Sequence, residues 1–167
     1  MSGLHYRRLG PWHVVFRDAP GHNAAQLTLH LPEHRTLIAA DMLSDIEIPI
    51  LKQPIAVYRR TLADLAVLAQ GGAIETLIPG HGTVARSAAE ARARIDRDLA
   101  YLDALHKGVA DAVRAGTSAD EVVRRLEAMD YTGKNAEYSM VDVHQRNVRL
   151  AHDGLASSRA PAPRGAR

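Results

Sequence analysis

The first half of this chain reads mainly as strands and the second as helices, and no Gly/Ser linker separates the two. Strands followed by helices fit an α/β domain in which the second half covers a sheet built from the first. Residues 13–17 carry Val14, Val15 and Phe16, a short apolar run suited to a buried strand. Residues 26–31 alternate strictly, with Leu27, Leu29 and Leu31 on one face and Gln26, Thr28 and His30 on the other, which predicts a half-buried strand. A hairpin connection, Leu31-Pro32-Glu33-His34-Arg35, leads into residues 36–40, a small apolar run that ends at Asp41 and reads as an interior strand.

The helical pattern begins at 54–70, where Ile55, Tyr58, Leu62, Leu65 and Ala69 recur at spacings of three and four between Pro54 and Gly71-Gly72. One more strand is predicted at 74–78, stopped by Pro79-Gly80. Ser87 with Glu90 forms a capping box that opens a long helix, with Ile95, Leu99, Leu102, Leu105, Val109 and Val113 on one stripe up to Gly116. Ser118 with Glu121 opens a shorter helix. A last helix is expected over 139–155, ending at or just past Gly154. The organisation expected is a β-rich unit with one helix over 1–85, helices packed on it over 86–156, and a disordered basic tail over 157–167.

The length of 167 residues suffices for one domain and not for two. No run approaches the ~18 apolar residues of a membrane span, and the first 17 residues carry His, Tyr and Arg where a signal peptide needs an apolar stretch, so the expected location is cytoplasmic. Cysteine is absent, which excludes disulfides, thiolate nucleophiles and thiolate metal sites; any metal is held by His and carboxylates. Three of the 21 basic residues and none of the 19 acidic ones lie in the tail, so the remainder carries one more acid than base. The basic balance belongs to the tail, and without a basic face in the fold a nucleic-acid partner is not expected.

Three predicted strands are each followed by a residue able to bind a metal: His22 after the first, Asp41 after the run 36–40, and His81 after 74–78. Two of them lie in Pro-Gly-His turns, Pro20-Gly21-His22 and Pro79-Gly80-His81, where glycine lets the backbone turn sharply. Ligands commonly sit at the carboxyl ends of strands, and two imidazoles with a carboxylate suit zinc. Alone, each is as readily a solvated turn histidine or a capping aspartate.

Together these segments resemble the C-terminal half of the metallo-β-lactamase-fold hydrolases: Ala19-Pro20-Gly21-His22, an alternating strand, Leu37-Ile38-Ala39-Ala40-Asp41, then Ile78-Pro79-Gly80-His81-Gly82, with helices following. The resemblance covers about residues 12–155. It implies half of an αββα sandwich with a helical C-terminal extension. It also makes His22 a ligand of a first metal, His81 a ligand of a second, and Asp41 the carboxylate that bridges them. The family usually has Gly-Asp where this chain has Ala40-Asp41. The family's His-x-His-x-Asp-His motif, which supplies the other ligands, is absent; His5 and His13 are eight apart and do not replace it by spacing.

The resemblance therefore implies a zinc-dependent hydrolase, truncated or partial, in which one or two zinc ions bind weakly to this polypeptide alone. Such enzymes use metal-activated water on an ester, amide, thioester or phosphodiester, so the implied partner is a small-molecule substrate of unassigned class. The alternative reading is a non-catalytic remnant acting as a dimerising or interaction module, because half a sandwich leaves one sheet face without its partner layer, to be covered by a second copy or by the missing N-terminal half.

Weaker candidates remain. His144 and Asn147 lie one turn apart on the last helix and resemble a recurrent feature of family members with added C-terminal helices, although packing is the better account. His30 and His34 flank the hairpin and are expected to be solvated. Asp45, Glu47, Tyr131 and Tyr138 are candidates for lining a pocket. Ser44, Ser87 and Ser139 lack a nucleophile-elbow motif, which argues against a serine hydrolase.

Overall fold

The first half of the chain forms one five-stranded sheet in sequence order: β1 (Leu4–Leu9), β2 (Trp12–Asp18), β3 (Leu27–Leu31), β4 (Thr36–Ala40) and β5 (Thr76–Pro79). Strands β1 to β4 pair antiparallel with their neighbours. Strand β5 returns parallel to β4 after a crossover through α1 (Ile55–Gln70), the long connection that a parallel neighbour requires. It follows that β2, β4 and β5 run in the same direction and their carboxyl ends open at one edge of the sheet. This computed structural model describes residues 3–134, 136 and 139–159.

The two faces of the sheet differ in what covers them. Val15, His30, Leu37 and Leu77 pair in register across β2 to β5, and all four are buried. The adjacent row, Phe16, Leu29, Ile38 and Ile78, is only partly buried, and Trp12 and Leu27 are exposed. Hydrophobicity alone would turn the leucines of β3 toward the core. The structure does the reverse, burying Gln26, Thr28 and His30. The solvated reading of His30 is thus corrected, its Nε2 lying 2.8 Å from the Ala73 carbonyl; His34 is exposed as expected. The leucine face belongs to the side that no helix among the described residues covers.

Strand β1 has no counterpart in the sequence reading, because all six of its residues are exposed and it carries no apolar period. The helices match their signals closely. Pro54 precedes α1, whose Tyr58, Leu62 and Leu65 are fully buried. The second helix, α2 (Ala88–Arg114), is capped by Ser87 Oγ, which accepts from Glu90 N–H at 3.2 Å, while the Glu90 carboxylate accepts from Arg86 N–H at 2.7 Å. Those contacts satisfy donors that an uncapped helix start would leave unpaired. Helix α3 (Ala119–Leu126) is capped by Ser118, and α4 spans Val141–Arg159. Gly154 does not end α4, as the sequence suggested; the helix continues through Ser158, whose hydroxyl donates to the Leu155 carbonyl at 2.8 Å. Tyr138 and residues 160–167 lie outside the described residues.

One hydrophobic core joins these parts, from Leu37 and Ala39 of the sheet through Leu62 and Leu65 of α1 and Leu102 and Leu105 of α2 to Val148 and Ala151 of α4. Among the described residues no helix is long and apolar enough to cross a membrane.

Candidate metal centre

Because β2, β4 and β5 share a direction, the turns after them meet at one edge of the sheet, and the three residues singled out from the sequence are brought together there. Asp41 lies between the two histidines. Its Oδ2 is 3.8 Å from His22 Nε2 and its Oδ1 is 3.5 Å from His81 Nε2. Both separations exceed a normal hydrogen bond. The His22 side chain is 13% exposed, whereas Asp41 and His81 are 50% and 56% exposed, so the carboxylate faces solvent from between one sunken imidazole and one open one.

Each turn is fixed from beneath. The ring of Tyr58 lies so close under Gly21 that a Cβ there would meet Tyr58 Cγ at 2.4 Å. One turn further along α1, the Thr61 hydroxyl donates to the Pro20 carbonyl at 2.6 Å. In the second turn a Cβ on Gly80 would come within 2.8 Å of Asp41 Oδ1, and Gly80 N–H donates to the Ala40 carbonyl at 2.7 Å. Glycine is therefore required at position 21 by the buried Tyr58 ring, while at position 80 a Cβ would press on the Ala40 backbone at 3.1–3.2 Å and displace the Asp41 carboxylate. Ala40 adopts a left-handed φ of 51°, a conformation that costs a residue with a Cβ about 1–2 kcal/mol. That geometry gives the physical reason why glycine is usual before this aspartate.

Burial, with the Lys52 ammonium beside it, holds the His22 imidazole below its ordinary range, so it is neutral at pH 7. Lys52 Nζ lies 3.3 Å from His22 Nε2. If that nitrogen accepts, the proton sits on Nδ1, which is buried and has no hydrogen-bond partner among the described residues. Among the described residues, no group of three or more His, Cys, Asp and Glu side chains is arranged to hold one metal ion by itself.

The other candidates have structural partners. The Asp45 carboxylate accepts from Thr83 N–H at 2.8 Å and from the Thr83 hydroxyl, with Arg94 at 3.5 Å. Burial works to raise its pKa, but those hydrogen bonds outweigh it and leave it below the usual carboxylate range. Asp45 thereby fixes the loop that carries His81. Glu47 is half-buried and lines a small cavity with Asp41. His144 and Asn147 are buried in a bonded network. His144 Nδ1 lies 3.1 Å from the Tyr101 hydroxyl and its Nε2 lies 3.2 Å from the Leu126 carbonyl. Asn147 donates to the Pro49 carbonyl at 2.7 Å and to Tyr101 Oη at 3.0 Å, and accepts from Leu51 N–H at 2.9 Å. The Tyr131 ring stacks on His144 with centroids 4.4 Å apart. Tyr131 also lines a cleft of about 450 Å³ between α2, residues 48–49 and residues 129–132.

Sequence reasoning missed Asp98. It is 2% exposed on α2, burial pushes its pKa up to about 7 against the pull of Arg97, and Arg97 Nη2 lies 3.2 Å from its Oδ1. The signal was available, since Asp98 falls on the stripe between Ile95 and Leu102 where an apolar residue is expected.

No family model and no curated protein sequence matches the chain. Solved structures do. A stereoselective inverting sec-alkylsulfatase from Pseudomonas sp. is similar over 96% of this chain and 28% of its own, with a TM-score of 0.69 at 14% identity. A metallo-β-lactamase family protein from Thermus thermophilus is similar over 89% of this chain and 45% of its own, with a TM-score of 0.63 at 18% identity. A β-lactamase domain protein from Burkholderia ambifaria gives 96%, 48%, 0.57 and 16% for the same quantities. The chain thus spans less than half the length of each of these structures. The five-stranded mixed sheet, covered by helices on one face and extended by α2 to α4, has the metallo-β-lactamase fold, of which this chain carries half of the αββα sandwich.

Proposed function

We propose that the chain is a metal-dependent hydrolase of this fold, or the larger part of one half of such an enzyme, with zinc held by His22, Asp41 and His81. The observation that carries the reading is the position of Asp41, one carboxylate oxygen toward each imidazole. Two donors on one zinc, with bonds of about 2.0–2.2 Å and a tetrahedral angle, lie about 3.4 Å apart; the observed separations of 3.5 and 3.8 Å are of that size. Neutral His22 presents a lone pair at Nε2 once the exposed Lys52 side chain moves away. The residues fit as one nitrogen and one oxygen on each of two ions, with the bridge shared, and the remaining ligands come from outside this set. Held by His22, Asp41 and His81, zinc would supply water activation near neutral pH and polarisation of the bond to be broken. The residues of this chain contribute the charge of Asp41, the fixed turns under both imidazoles, and the adjacent cleft lined by Tyr131, Met129 and Ile48 as the place for the rest of a small-molecule substrate.

Zinc content measured on purified protein tests this. One to two equivalents, lost in His22→Ala and in Asp41→Ala, with hydrolysis of generic esters or phosphodiesters, are the expected results. A metal-free protein without hydrolysis overturns the reading for this chain alone. An in-frame His-x-His-x-Asp-His in the coding DNA upstream of Met1 would supply the remaining ligands.

A second reading, a non-catalytic module that pairs through its sheet, is favoured by one observation. Phe16, Leu29, Ile38 and Ile78 form a continuous, partly buried apolar row that no helix among the described residues covers, and faces of this kind mark interaction sites. Light scattering at micromolar concentration separates the cases: a stable dimer without zinc supports the module, and a monomer counts against it.

A further inference from the structure

Tyr58 is fully buried, and among the described residues its hydroxyl has no hydrogen-bond partner. A buried hydroxyl without a partner costs about 1–3 kcal/mol, so such groups need an explanation. Burial first, then the negative charges of Asp98, Asp41 and Glu47, raise its pKa well above the ordinary phenol range. The group is therefore always a donor. Beside it is a cavity of about 10 Å³ lined by Asp41, Ser44, Glu47, Tyr58 and Asp98 among others. That is about the volume one water molecule needs, and a buried water is typically stable with about three hydrogen bonds. The cavity supplies a donor and more than one carboxylate acceptor.

We propose that one water molecule occupies this cavity, accepting from the Tyr58 hydroxyl, donating to the carboxylate of Asp41 and hydrogen-bonded to the carboxyl group of Asp98, and that Tyr58 and Asp98 thereby act as positioning residues for Asp41. Tyr58 serves the centre twice. Its ring supports Gly21, which sets the turn of His22, and its hydroxyl fixes the carboxylate between His22 and His81 through the water. Asp98 is held in turn by Arg97, and it lines the 450 Å³ cleft as well as the small cavity, together with Ile48 and Pro49. The water thus lies where the wall of the cleft meets the support of Asp41. The effect on metal binding rests on Asp41 being a ligand, as proposed above; the water itself does not.

The test uses the full chain, with Tyr58→Phe, Asp98→Asn and the double variant. In metal-free protein, Tyr58→Phe lowers Tm by about 2–6 °C, the two substitutions are not additive because they share one water, and a crystal structure of the wild type shows the water bonded to Tyr58 and Asp41. Zinc affinity, by competition with a chromophoric chelator, falls about 10-fold or more in Tyr58→Phe, the range found for groups that orient metal ligands. A Tm unchanged or raised in Tyr58→Phe, additive variants, or a dry cavity overturns the proposal, because removing a hydroxyl that bonds nothing relieves the protein. If the wild type binds no zinc, the metal reading fails, and the Tm and crystallographic results still decide the water.

Discussion

Asp98 lines both the cleft beside Tyr101 and the small cavity beside Asp41, and the polar clusters at these two places are bonded in opposite ways. In the cluster of Tyr101, His144 and Asn147 every side chain is buried and bonded: Asn147 alone makes three hydrogen bonds, two of them to backbone groups of residues 49–51. Around Asp41 the side chains are half-exposed or unpaired, no imidazole nitrogen comes within hydrogen-bond distance of the carboxylate, and His22 Nδ1 has no partner among the described residues. Buried polar groups normally find partners because leaving them unpaired is costly. A satisfied network holds the fold, here fastening α4 and the 42–53 segment to α2. Around Asp41 the turns are held by close contacts at Gly21 and Gly80 while the side chains between them stay unpaired, the arrangement on which the proposed zinc binding rests.

That contrast can be broken or sharpened by measurement. The largest expected effect concerns Asp98, which lines both places. Its folded pKa of about 7 lies well above the ordinary carboxylate range, so between those values the native state holds a proton that the unfolded state has released. Its contribution to stability is complete below about pH 4, declines as pH rises to 7, and is flat above that, by on the order of 4 kcal/mol. Urea denaturation of the wild type and of Asp98→Asn at pH 4.5 and 7.5 checks the sign: the difference between the two pH values moves toward higher pH in the variant. His144, whose pKa burial lowers, works the other way, favouring stability at higher pH and losing it as pH falls below about 6.5.

Next in size is Asn147→Ala. It strands the Pro49 carbonyl and the Leu51 N–H and leaves the Tyr101 hydroxyl with His144 alone, and a loss of about 3 kcal/mol in the urea midpoint analysis is expected, with zinc affinity of the folded fraction unchanged. Loss of zinc without loss of stability would dissolve the contrast. Smaller again is Ala40→Gly, which relieves the left-handed φ of 51° and should raise stability by about 1 kcal/mol; a lower Tm would mean that the alanine methyl packs better than its backbone suffers. The smallest effect is expected for His81→Ala in metal-free protein. Its ring is mostly exposed and only loosely apposed to Asp41, so stability should stay within about 0.5 kcal/mol while zinc binding is lost.

Much of the site was legible in the residues themselves. Pro-Gly-His occurs twice, and an apolar strand ends in Ala-Asp; those local signals named His22, Asp41 and His81 before any geometry was known. The helix starts were legible for the same reason, because Ser87 and Ser118 with Glu three residues on are local chemistry. Gly154 misled, since a helix glycine ends a helix only if the backbone turns left-handed after it, and here α4 continues with space around that position. The environments of Asp98 and Tyr58 were not legible. A periodic stripe shows which side of a helix is buried, but not which buried residue will face a cavity lined by three carboxylates.

The sequence by itself determined four of the five strands, the starts of the helices, the residue types at the turns and the exclusion of cysteine chemistry, because periodicity, capping and turn formation act over a few residues. Only the tertiary structure decided that three turns far apart in the chain share one edge, since this depends on β2, β4 and β5 running in the same direction. It also decided which face of β3 is buried. An alternating pattern defines two faces equally well, and the choice between them is made by where α1 and α2 pack.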